Sequence, residues 1–260
     1  MSDPGTVLPI AVAGLVACVA LALVVWGVSL PLRDVSIVDG AWSLLVLVPA
    51  LVAAAVAPAG PRTAWVLGLA GAWALRLAVY ITRRHWGQPE DHRYRAIRLR
   101  NDPGFALKSV YLVFGLQAIL ASAVALPLVA AVVGDAPLNV LDAIGVTLFA
   151  VGLAIETVAD AQLARFKSEP GNRGLVMAQG LWRYSRHPNY FGEFCVWWGL
   201  WAVALGAGAW WTVVSPLLMS VLLLKVSGVT LLEKDIGERR PAYRVYAART
   251  NAFFPWLPRA

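Results

Sequence analysis

Gly180-Leu-Trp-Arg-Tyr-Ser-Arg-His-Pro-Asn-Tyr-Phe-Gly-Glu193 is a polar, basic run that feeds directly into the apolar, tryptophan-rich segment from Phe194 to Trp211. Ionisable groups at the point where a helix enters hydrocarbon are expensive unless they serve a purpose. The stretch therefore poses two questions together: whether the chain crosses a membrane, and where its chemistry sits.

Composition answers the first. Of 260 residues, 59% are hydrophobic and 14% charged, against roughly 25% charged in an ordinary soluble domain. A polytopic membrane protein is the leading class. Lipid cannot satisfy an open sheet edge, and alternation over strands of about ten residues is not the pattern here, so the expected fold class is all-α. Seven transmembrane helices are expected, at Val7 to Leu30, Ile37 to Ala57, Thr63 to Ile81, Leu107 to Val133, Val140 to Asp160, Phe191 to Leu205 and Ala209 to Leu232. Only Gly206-Ala-Gly208 separates the last two, which read as a tight hairpin with one shortened or partly buried member. Asp3, with no basic residue before the first apolar run, argues against a cleaved signal peptide.

The formal net charge of +7 is confined almost entirely to alternate loops, which is a topology signal and not a nucleic-acid one. Arg33, the Arg83 to Lys108 connection, the Arg165 to Arg186 connection and the Lys234, Arg239, Arg240, Arg244, Arg249 and Arg259 tail place nineteen Lys and Arg on one side, against Arg62 on the other. The positive-inside rule then puts the N-terminus outside and the C-terminus in the cytoplasm. Chemistry is expected on the cytoplasmic face, where the two long connections could fold over a ligand.

Polar residues near the spans supply the candidates. Arg76 lies one turn from Tyr80, with Arg83 and Arg84 beyond; either Arg76 snorkels and the pair marks the interface, or these residues line a polar pocket. Glu156 and Asp160 stand four apart, where like charges repel and a cationic partner such as Arg165 or Arg173 is expected. Asp39, with Trp42 three residues on, is either a substrate contact or, like Asp34, a helix N-cap. Pro188 suits a first helical turn. Asn189 and Glu193 then share a face toward Arg186, with Tyr190 beside them. His187 reads as a structural histidine or a cofactor contact, and less readily as a general acid/base. Tyr246 and Arg249 could hold an anionic cofactor with Asn251 nearby, while Phe253, Phe254 and Trp256 read as interfacial anchors. Cys18 and Cys195 read as packing residues, and the spacing of His and Cys gives no metal site. No Gly-x-Gly-x-x-Gly, Walker or Gly-x-Ser-x-Gly motif is present, so any dinucleotide phosphates must be held by loop arginines and tyrosines.

Several segments carry a resemblance: Glu156 to Asp160, Ala161-Gln-Leu-Ala-Arg-Phe-Lys167, Asn172-Arg-Gly174 and Leu181 to Glu193. Together with Arg76 to Arg84 and Tyr243 to Trp256, they resemble the DUF1295 family of bacterial membrane proteins, related to the C-terminal domain of steroid 5-alpha-reductases. The resemblance implies a multi-pass reductase of the bacterial inner membrane that uses NADPH to reduce the C4–C5 double bond of a 3-oxo-Δ4-steroid or a related lipid enone. Residues 7–133 would form the substrate side and residues 134–260 the cofactor half. The implied partners are membrane lipid and a hydrophobic steroid-like substrate, with no obligate protein partner. Asp160, Arg173, Asn189 and Glu193 would contact the cofactor, with Tyr246 and Arg249 near it. Glu156, Arg165, Asn172, Tyr184, Arg186, His187, Tyr190, Asn251, Arg76, Arg83 and Arg84 complete the expected cofactor set. Asp39, Trp42 and Tyr80 are the expected catalytic residues on the donor side; the glutamate that vertebrate-type enzymes carry in their early helices has no counterpart before Glu90. The Arg-His-Pro-Asn-Tyr-Phe-Gly motif is also similar to isoprenylcysteine and phospholipid methyltransferases, which use S-adenosylmethionine. A non-enzymatic transport or structural protein is the third alternative.

Overall fold

The computed structural model describes residues 3–226, 229, 233 and 241–259. Among these residues the secondary structure is helical, with no strand. Five helices are long and apolar enough to cross a membrane: α1 (Pro4–Leu32), α2 (Ile37–Val56), α3 (Thr63–His85), α5 (Phe105–Val124) and α7 (Val140–Ser168). Between them lie the short helices α4 (His92–Asn101) and α6 (Leu126–Val133), and α8 (Pro188–Gly206) follows α7. A shorter apolar helix, α9 (Trp210–Val226), and the basic α10 (Pro241–Arg249) complete the described elements. The end of the expected seventh span, at 227, 228 and 230–232, lies outside the described residues, as do Lys234, Arg239 and Arg240.

The expected fourth span, Leu107 to Val133, is two helices. Its first part contains a π-helical turn at Val110–Gly115, and the chain restarts after Ala125 with Pro127 in the opening turn of α6. Proline lacks the N–H that a continuous helix would need there, but costs nothing in a first turn. Six of the eight residues of α6 are buried, so it packs in the core of its unit.

The chain divides into two compact units. Unit 1 comprises residues 1–139 and 204–215, unit 2 residues 140–203 and 216–260. In unit 1, α2 packs against α1, α3, α5 and α6, and its buried face carries Val38, Ser43, Leu45, Val46, Pro49, Ala50 and Ala53. A Cβ on Gly14 of α1 would meet Pro49 Cβ at 2.8 Å, so glycine permits this crossing. Ser43 Oγ donates to Ala74 O at 2.8 Å and ties α2 to α3. Away from these contacts, Leu8, Val12, Val16, Leu23 and Val24 of α1 are exposed, an apolar surface suited to lipid. Arg62, the lone basic residue of its side in the charge count, is fully buried and donates to the carbonyls of Ala136 and Pro137. It anchors the 136–137 loop to the start of α3.

Unit 2 is built on two glycine pairs. A Cβ on Gly145 would sit 2.6 Å from Gly199 O, and one on Gly199 2.7 Å from Gly145 O. The same holds for Gly152 and Gly192, each 2.6 Å from the other's carbonyl oxygen. The pairing runs antiparallel, with the glycines seven positions apart on each helix, so the backbones of α7 and α8 touch along two turns.

Candidate functional site

In unit 2 the glycine contacts set the distances for the polar residues. Because the α7 and α8 backbones are in contact, Asn189 in the first turn of α8 reaches across and donates through Nδ2 to Asp160 Oδ1 at 3.1 Å. Glu156, Asp160 and Glu193 are 3%, 4% and 6% exposed, so three carboxylates are buried on two helices. Glu193 accepts from Trp197 Nε1 at 2.9 Å, one turn along its own helix. Pro188 opens α8, as its missing N–H favours, and Tyr190 stacks on His187 with ring centroids 5.5 Å apart.

Farther along α7, Leu163 and Lys167 continue the spacing of Glu156 and Asp160, with steps of four, three and four residues. Leu163 and Lys167 line a cleft of about 300 Å³ together with Phe166, Asn172, Arg173, Gly174, Leu175 and Met177. One face of α7 therefore passes from buried acids to a cationic cleft. Arg165 and Arg173 are exposed, and Asn172 uses its amide on Phe166 O and Glu169 Oε2.

The opening stretch docks on this helix. Gly180, with φ of 58°, rests on the Gln162 amide, where a Cβ would sit 2.5 Å from Nε2. Gln162 Oε1 accepts from Leu181 N, and Trp182 Nε1 donates to Ala159 O, both at 3.0 Å. On its other side the stretch is strapped by the chain end. Arg186 N donates to Asn251 O, Ser185 Oγ to Phe253 O and Trp256 N to Tyr184 O. The Tyr246 hydroxyl donates to Trp182 O, and burial holds that phenol well above its ordinary value. Arg186 grips Glu233 through Nε and Nη2, each at 2.7 Å, and donates Nη1 to the carbonyls of Ala247 and Thr250. Four of its five donors are thus spent inside the protein. His187 Nε2 lies 2.9 Å from Glu233 Oε1, and Tyr243 donates to the same oxygen at 3.0 Å. Burial pushes the Glu233 carboxyl up, but the hydrogen bonds from His187 and Arg186 and the arginine charge outweigh it and leave it at about 2.

The expected cofactor residues thus fall into distinct settings. Asp160, Asn189, Glu156 and Glu193 form a buried acid–amide set; Asn172 and Arg173 belong to the cleft, whereas Arg165 is an exposed residue of α7. Arg186, His187 and Tyr246 have their polar groups engaged in holding the strap, Asn251 contributes a carbonyl to it, and Tyr184 and Arg249 are exposed. Glu233 is absent from the expectations; its charged partner Arg186 and its neighbour His187 lie 47 and 46 residues away, beyond any local pattern.

Unit 1 has its own polar cluster. Asp39 stands in the first turn of α2, where a carboxylate favours the helix N-terminus. It is not the N-cap: Ser36 holds that position, and Asp34 accepts from Ser36 N at 2.8 Å. Asp39 Oδ2 accepts from Arg93 Nη2 at 2.6 Å and Oδ1 from the Tyr94 hydroxyl at 2.5 Å. Arg93 and Tyr94 are placed by α4, whose N-cap Asp91 accepts from Arg93 N at 2.9 Å. Tyr94 is 6% exposed. Burial, then the charge and hydrogen bond of Asp39, push its phenol far up, while Gln117 hydrogen-bonds it in the opposite sense. Tyr94 is the residue the sequence reading misses, although an acid before a short helix, at Asp91, signals α4.

The other expected residues of unit 1 are arranged differently. Tyr80 does not join Asp39; its ring lies between the Arg76 and Arg84 guanidiniums, at 5.7 and 5.8 Å. Arg83 is exposed and Trp42 half-buried. Among the described residues no group of three or more His, Cys, Asp or Glu is placed to hold a metal ion.

Among the described residues, secondary structure that is helical throughout and five membrane-length apolar helices define a polytopic membrane protein. The chain belongs to the DUF1295 family, a family described as proteins of unknown function, whose model matches residues 25–250. It is similar to the uncharacterized protein C594.04c of Schizosaccharomyces pombe, with 27% identity over 276 aligned residues that cover 95% of this chain and 80% of the relative. No solved structure matches the chain significantly.

Proposed function

We propose that the protein is a seven-span enzyme of the bacterial cytoplasmic membrane, N-terminus outside and C-terminus inside, that reduces the C4–C5 double bond of a 3-oxo-Δ4-steroid or related lipid enone with NADPH. The observation that carries the reading is the face of α7, on which a buried acid bonded to an α8 amide, Asp160 with Asn189, leads into a cleft bearing Lys167 and Arg173. That donor set fits a phosphorylated dinucleotide: carboxylates accept from ribose hydroxyls and a carboxamide, and exposed cations meet phosphates. Asp160, Asn189, Glu156 and Glu193 would hold the former, and Lys167 and Arg173 the latter.

The bound cofactor supplies the hydride for the β-carbon of the enone, and a proton completes the saturation at the α-carbon. The residues expected on the donor side lie in unit 1, where the Tyr94 hydroxyl gives its one proton to Asp39 and Arg93 balances that carboxylate.

The test is incubation of the purified protein in detergent with progesterone or testosterone and either NADPH or S-adenosylmethionine, with products identified by mass. A gain of two hydrogens that requires NADPH supports the proposal. Methyl transfer without NADPH oxidation sinks it in favour of the methyltransferase reading, and no turnover of several enones leaves the non-enzymatic reading standing.

A further inference from the structure

The chain end does more than strap the opening stretch. Tyr184, Pro255, Trp256 and Leu257 line a groove of about 380 Å³. Trp256 and Leu257 are each 71% exposed and Phe254 is 61% exposed, an unusual display for three large apolar side chains within four residues. The backbone bonds that build the groove also gather charge around it. Trp256 N donates to Tyr184 O, and Arg259 N folds back to Arg249 O at 2.8 Å. Thr250, next to Arg249, lies with its hydroxyl 3.5 Å from Arg183 O. Arg183, Arg249 and Arg259 are exposed and attached to these neighbouring backbone positions.

No acid stands near them in sequence: residues 170–192 and 241–260 contain no Asp or Glu. Glu233, the carboxylate held against this region, is committed to Arg186, His187 and Tyr243. The three arginines are therefore a local excess of positive charge beside an apolar groove. A soluble anion would use the cations and leave the groove wet. A zwitterionic lipid would fill the groove but bring its own cation to the arginines. Only a ligand with an alkyl chain and a net negative head satisfies both.

We propose that this groove binds an anionic phospholipid, its acyl chain against Tyr184, Trp256 and Leu257 and its phosphate among Arg183, Arg249 and Arg259. The sequence alone gives these aromatics as general interfacial anchors; the folded strap makes them one wall of a charged groove. The inference does not depend on the enzymatic reading.

Native mass spectrometry of the full-length protein, exchanged into mixed detergent containing equal phosphatidylglycerol and phosphatidylcholine, reads the occupancy directly. Wild type is expected to retain phosphatidylglycerol in about tenfold preference, and Arg249→Ala/Arg259→Ala to lose most of that preference. Trp256→Ala should lower retention of both lipids about equally. If the double variant does not fold, Arg259→Gln alone should lower the preference by about threefold, since it changes one exposed residue next to the chain end. Equal retention of the two lipids by wild type overturns the proposal, as does an unchanged preference in the folded arginine variants. Displacement of phosphatidylglycerol by excess inorganic phosphate likewise overturns it and makes the site one for soluble anions.

Discussion

The two units solve the same problem, polar groups in a largely apolar chain, by different means. Unit 1 neutralises Asp39 with side chains from a separate short helix, so its cluster rests on Arg93 and Tyr94 reaching across. Unit 2 brings backbones together first, through Gly145, Gly152, Gly192 and Gly199, and the Asp160–Asn189 bond follows from that contact. The difference teaches where each unit tolerates change. A cluster held by side chains is adjustable at the cost of its chemistry, whereas one held by backbone contact fails as a whole.

The strongest way to break the comparison is to insert bulk at a glycine. Gly152→Leu should abolish a folded unit 2, a loss above about 3 kcal/mol, because the new side chain meets backbone oxygen and nitrogen that cannot move aside. Gly27→Leu in α1 of unit 1, where no atom lies within 4 Å of a Cβ, should change stability by less than about 0.5 kcal/mol. Thermal unfolding in one detergent checks both, and similar effects at the two positions would erase the contrast. Next in size, Tyr94→Phe should cost about 2 to 3 kcal/mol by leaving the Asp39 carboxylate one donor short. A melting temperature unchanged from wild type removes Tyr94 from the hold on Asp39.

Glu233→Gln should cost about 2 kcal/mol by weakening the hold on Arg186 and His187. The same carboxylate sets an acid limit. Its folded value near 2 lies below the ordinary glutamate value, so its contribution is complete above about pH 4.3 and is lost as the pH falls toward 2. Unfolding followed from pH 6 to pH 2 should therefore show a loss that Glu233→Gln lacks. Among the variants expected to show a loss, the smallest is Asn189→Ala, about a tenfold weaker NADPH affinity with the fold intact, measured by fluorescence titration. Unchanged affinity would remove Asn189 from the cofactor set.

Hydropathy makes the long helices legible, because lipid demands length and apolarity from each one. It fails at Pro127, where an apolar run hides a helix restart, and at Arg62, whose burial depends on loop carbonyls more than seventy residues away. The acid–amide set is partly legible, since Asn189 and Glu193 stand four apart after Pro188. The strap is not: Arg186 is the same basic residue in the sequence whether it faces phosphate or Glu233. Tyr94 is hidden for a similar reason, in a basic connection that hydropathy treats as loop. The glycines were available to inspection as two pairs seven apart, a period that gains meaning only once α7 and α8 are known to run antiparallel.

That period has a mechanical consequence. Two glycine contacts one heptad apart act as a pair of teeth, and a slide of α8 along α7 by a single turn would carry both out of engagement and drive side chains into backbone. Sliding is thereby opposed by backbone contact at two points, and the pair is a fixed frame for the segments that dock on it.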